Sequence, residues 1–190
     1  MKRIIFVATM IIGFSAFSQE KPKISSAVIA IDQHNDVKEA KKHIDAAEAI
    51  INEKNLSDIS TKTLGKFYFY KGKINFRISI SEDPEVIALD DKALDHALEG
   101  FMSLLEFEKN GKQRYTKDAK EQLGQLTNGI AQRGIDASVE ENYSGAYTDF
   151  ITTFNIKKDL LGSLDTGFYY NAALMAQKGE MYPEAIGILE

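Results

Sequence analysis

The chain has 190 residues, 44% hydrophobic and 27% charged, a composition that supports a folded core and excludes disorder as its main character. It contains no Cys, which removes disulfides, thiolate metal sites, cysteine nucleophiles and a lipid-modified cysteine together. A formal net charge of −5 argues against nucleic acid or an anionic bilayer as the principal partner, because both reward clustered Lys and Arg.

Lys2 and Arg3 precede the apolar run Ile4 to Phe14, and Ser15-Ala16-Phe17-Ser18-Gln19-Glu20 follows it. This is the order of a secretory signal peptide over residues 1–18, with Ala16 and Ser18 as the small residues before a cut at Gln19. The run is shorter than the roughly 18 apolar residues that a spanning helix wants, so no membrane span is expected after cleavage. Removing the leader takes away two cations and no acid, leaving a still more acidic mature chain. Export without Cys fits a periplasmic or envelope-associated protein of a Gram-negative bacterium.

From Ile24 to Asn52, apolar residues at Ala27, Val28, Ile31, Val37, Ala40, Ile44, Ala47 and Ile51 recur at helical spacing. Gln33-His34-Asn35-Asp36 divides them into two helices, with Asp36 and Glu39 at capping-box spacing. A polar stretch at Glu53 to Asp58 precedes a helix over Thr63 to Ile80. Within it Phe67-Tyr68-Phe69-Tyr70 has strand propensity, but Lys71-Gly72-Lys73 breaks any alternation while the helical period continues. Ser81 to Glu85 reads as a cap with Pro84 at the first helical position, opening a short helix or an insert.

From Asp91 the residues Leu94, Ala97, Leu98, Phe101, Leu104 and Leu105 predict an amphipathic helix that stops at Asn110-Gly111. Thr116 is the expected cap of the next helix, through Ala119, Leu123, Leu126 and Ile130. Tyr143, Ala146, Tyr147, Phe150 and Phe154 mark another. The last pair is Thr166 to Lys178 and Tyr182 to Glu190, divided at Gly179. No segment alternates as a strand does, so the expected fold class is all-α.

The second helix of each pair repeats one pattern, a small Ala with a larger residue four later: Ala40/Ile44, Ala97/Phe101, Ala146/Phe150 and Ala185/Leu189. Small residues there let helices approach closely, and the larger one fills the groove. Phe168-Tyr169-Tyr170-Asn171-Ala172-Ala173, followed by Gly179-Glu180-Met181-Tyr182-Pro183-Glu184-Ala185-Ile186, resembles a tetratricopeptide repeat (TPR), with one extra residue after Gly179. Asn35 to Ala40 resembles the same turn and second helix, and Gly72 and Gly134 fall where the family places a small residue. The Ala markers at 40, 97, 146 and 185 are spaced wider than the family's period of about 34 residues. The arrangement also resembles, at a looser level than the repeat itself, a group of secreted bacterial TPR proteins with irregular repeat spacing. The resemblance implies a right-handed solenoid of antiparallel helix pairs, about four degenerate repeats over residues 19–190, with a protein-binding groove built from the first helices.

Catalytic chemistry finds little to work with. The histidines are His34, His43 and His96; Glu39 and His43 have helical ligand spacing, but His34 falls in a turn, and an exposed helix surface is the simpler account. Asp90, Asp91 and Asp95 lack the rhythm and central Gly of a calcium loop. No phosphate loop or nucleophile elbow occurs. No catalytic, metal or cofactor residue is expected, and the chain is read as a non-enzyme.

The expected function is therefore an exported scaffold that binds a peptide or protein segment. The alternatives are a structural part of an envelope assembly, or a repeat-containing support of a larger enzyme. If the family's register holds, Lys66, Phe69, Lys73 and Arg77 face the groove; their spacing of three, four and four puts them on one helix face in any register. An aromatic flanked by cations suits a partner with an acidic segment. Tyr170, Asn171 and Lys178 of the last repeat are expected to join the same groove. At the other end, Ile186, Ile188 and Leu189 stand in a helix that Glu190 cuts short, so a continuation or a partner is expected to cover them.

Overall fold

The computed structural model describes residues 19–189, so the expected leader over residues 1–18 and its expected cut before Gln19 lie outside the described residues. The chain forms α1 (Glu20–Asp32), α2 (Val37–Asn52), α3 (Thr61–Ser79), the short α4 (Pro84–Ile87), α5 (Ala93–Glu108), α6 (Thr116–Val139), α7 (Tyr143–Asn155), α8 (Thr166–Lys178) and α9 (Tyr182–Leu189). Among the described residues no strand forms, and Phe67 to Tyr70 lie inside α3.

Local chemistry sets most boundaries. Asp36 caps α2 by accepting the Glu39 N–H at 2.9 Å, but Glu39 does not return the bond; its carboxylate takes Lys42 and His43 instead. Ser60 caps α3 and Asp83 caps α4, with Pro84 in the first turn. Thr116 is not the cap of α6, as its position suggested. It is the first helical residue, and the buried Glu108 at the end of α5 accepts the N–H groups of Tyr115 and Thr116 and the Thr116 hydroxyl. A carboxylate from the preceding helix thus does the work of a local side chain, leaving the cap unreadable from adjacent sequence. A further turn, Ile156–Leu160, continues α7 with π-helical bonding that the apolar spacing did not announce.

Two helix ends share a geometry. Glu141 after α6 and Glu180 after α8 have positive φ, and the next residue donates its N–H back to Ala137 and Ala176 respectively. This is the Schellman arrangement, normally closed by Gly. Gly179 itself keeps a φ of −84°, so the residue after it carries the left-handed turn. Asn35 makes a similar turn after α1, with Asp36 bonding to Ala30.

Each long helix packs on the next long helix in the chain, and α1 also meets α3 and α3 meets α6. The repeated Ala residues are the contact points: Ala40, Ala97 and Ala146 are fully buried and Ala185 nearly so. One apolar core runs from α1 to α6 and includes Ile156, while a smaller one joins the end of α6 to α7 and α8. Ile186 and Tyr182 of α9 are more than half exposed; the side chains of Ile188 and Leu189 lie outside what is described.

Candidate interaction face

The face begins with α3, whose aromatic run is buried more deeply than a helix in isolation would permit. Phe67, Phe69 and Tyr70 are all buried, and Tyr68 is half-buried against Phe107. Helices on several sides make this possible. Phe69 stacks on Tyr115 with ring centres 4.8 Å apart, and Tyr70 donates its hydroxyl to Asp32 at 2.6 Å. Burial, and then that bond to a carboxylate, push the Tyr70 phenol well above its ordinary pKa.

Lys66, Phe69, Lys73 and Arg77 do lie along one side of α3, but they do not form a free cationic stripe. Phe69 is 4% exposed, so it is a core ring rather than a surface anchor. Lys73 pairs with Asp32 at 2.8 Å and sits 5.7 Å from the centre of the Tyr70 ring. Arg77 donates to the Asn35 side-chain oxygen. Spacing on α3 could show that these residues share a face; it could not show that the end of α1 lies against that face. Of the three cations on this side of α3, Lys66 alone has no side-chain hydrogen bond or ion pair among the described residues.

What this arrangement makes instead is a concavity of about 390 Å3 between α1, α3 and α6. Asp32, Tyr70, Lys73, Tyr115, Asp118 and Glu121 line it, with Phe69 in its wall. Its acidic residues outnumber its single cation, and that cation is already neutralised. Tyr115, Asp118 and Glu121 were not singled out from sequence, because they lie just before and within the first turns of α6, which only tertiary packing brings beside α3.

The residues expected from the last repeat stand apart. Tyr170 is 60% exposed and Asn171 is exposed, while Lys178 reaches the Tyr143 ring of α7 at 5.6 Å. The concavities that Lys66, Phe69 and Lys73 line contain none of these three.

The polar residues weighed as ligands have structural partners. Asp90 accepts the Lys92 N–H, Lys41 and His96; burial alone would raise its pKa, but those donors hold it below the ordinary value. Asp95 pairs with Arg133, which also grips Asp149 through two bonds of 2.8 Å. Among the described residues no group of three or more His, Asp or Glu side chains is placed to hold a metal, and no helix is long and apolar enough to cross a membrane.

No protein-family model matches this chain, and no curated protein matches it in sequence. The assignment of a role therefore rests on packing and surface chemistry.

Proposed function

We propose that the chain is an exported protein-interaction scaffold of TPR type, a right-handed solenoid of about four degenerate helix pairs with no catalytic role of its own. The observation that carries this reading is the order of packing. Helices meet in sequence, and α3 also meets α1 on one side and α6 on the other, as first helices do when pairs stack side by side. Buried Ala residues at equivalent places in four second helices support the same reading.

Such a stack presents the first helices on one side, and the concavity between α1, α3 and α6 lies there. A peptide or protein segment is the natural occupant of an extended surface of this kind. The leader composition supports delivery to the periplasm or envelope.

The test is affinity capture from envelope extracts with the full chain as bait, against an all-helical acidic bait of similar size. Reproducible, salt-sensitive retention of one partner is expected; retention no different from the control bait overturns the scaffold reading. Intact mass of the exported protein checks localisation separately, with a chain beginning at Gln19 expected.

A further inference from the structure

We infer that the N-terminal end of α3 is a docking edge for an acidic peptide segment of a partner protein. The inference rests on the scaffold reading and names the surface and the chemistry of the partner.

Two concavities flank the first turns of α3 and share Lys62. One, of about 340 Å3, lies on the α1 side and is lined by Lys21, Lys62 and Lys66 around Ile24. The other, of about 300 Å3, lies toward the loop between α5 and α6 and is lined by Lys62, Lys112 and Arg114 beside Phe107.

None of these five cations has an ion pair or hydrogen bond among the described residues. That sets them apart from Lys41, Lys54, Lys71, Lys73 and Arg133, each of which has a carboxylate partner. The one carboxylate lining either concavity is Glu108, and it is buried and engaged with the first residues of α6. On a chain of net charge −5, this edge is a concentration of unneutralised positive charge. The positive end of the α3 dipole adds to it.

The shape selects the class of partner. The apolar floors, Ile24 in one concavity and Phe107 in the other, are recessed between the cations. A narrow chain can place a side chain in each while its carboxylates meet the rim; a bilayer surface cannot reach them. An acidic segment with apolar residues among its carboxylates is the fitting occupant.

The experiment is fluorescence anisotropy of the full chain with a short labelled peptide of glutamate carrying two phenylalanines, and with its lysine counterpart. Three proteins are compared: the unaltered chain, Lys62→Glu/Lys66→Glu, and Lys42→Glu/Lys92→Glu, which makes the same charge change at exposed sites elsewhere. Circular dichroism confirms that all three are equally folded. The acidic peptide should bind the unaltered chain and the control variant alike, and bind Lys62→Glu/Lys66→Glu roughly tenfold more weakly, with the loss shrinking as salt rises. No binding, equal loss in both variants, or equal binding of the lysine peptide overturns the inference. Sedimentation with phosphatidylglycerol vesicles that depends on Lys62 and Lys66, without peptide binding, overturns it in favour of a membrane. If Lys62→Glu/Lys66→Glu still retains the partner captured by the unaltered chain, the scaffold reading stands and this edge is not its docking surface.

Discussion

The α3–α5 and α6–α7 pairs solve one packing problem in different ways. Residues 80–92, including α4, separate α3 from α5, yet these helices touch at the backbone: a Cβ on Gly100 would stand 2.5 Å from the Gly72 nitrogen. The α6–α7 connection is only residues 140–142, yet the approach is looser and polar. A Cβ on Gly134 would meet Asp149 and Phe150 at 3.1 Å, and Arg133 forks onto Asp149 beside it. Connection length therefore does not set how closely two helices pack. Where both helices place glycine at the crossing, backbones meet; where one does, a side chain fills the gap and a charge pair with a buried carboxylate, Asp149, lies beside it.

The sharpest way to break the comparison is Gly100→Ala. The added carbon meets backbone rather than a movable side chain, so a loss of about 3 kcal/mol is expected in urea unfolding. Gly134→Ala, where side chains can yield, should cost about 1 kcal/mol. Equal losses would remove the distinction between the two seams.

The polar seam has its own test. Asp149→Ala leaves Arg133 with Asp95 alone, and since the Arg133 side chain is 41% exposed, water recovers part of the loss. About 2 kcal/mol is expected by thermal unfolding, with a smaller effect for Asp95→Ala at the more exposed partner.

The long insert before α5 is clasped by α2, through Lys38 to Glu85 and Lys41 to Asp90. Asp90 ionises below its ordinary value of 3.8 in the folded state. Its contribution is therefore complete above that value and is lost as pH falls through the depressed one. Asp90→Asn should flatten this acid limb of the stability profile; an unchanged limb would show that other carboxylates carry it.

The smallest effect concerns the short turns. Glu141→Gly and Glu180→Gly should each raise stability by about 0.5 kcal/mol, since Gly adopts the left-handed conformation without the Cβ cost. Gly179→Ala, at a residue of ordinary φ, should not follow the same rule, and a destabilisation through its neighbours Met181 and Tyr143 is expected there.

Much of the fold was legible because its signals are local. Asp36, Ser81 to Pro84 and Asn110-Gly111 mark real helix boundaries, and the four Ala markers fall on buried contacts despite irregular spacing. The face on α3 was legible only in part. Helical spacing places Lys66, Phe69, Lys73 and Arg77 together, but burial of Phe69 and neutralisation of Lys73 come from α1 and α6, which no spacing on α3 identifies.

By itself, the sequence determined the all-helical class and which side of each helix is apolar, because periodicity and capping act over a few residues. Tertiary structure alone decided which cations remain free. Asp32 lies 41 residues before Lys73 and comes against it only when α1 packs on α3, whereas Lys62 and Lys66 on the same helix meet no carboxylate. Electrostatic partnership depends on distance in space, and for residues on different helices the packing of the chain sets that distance.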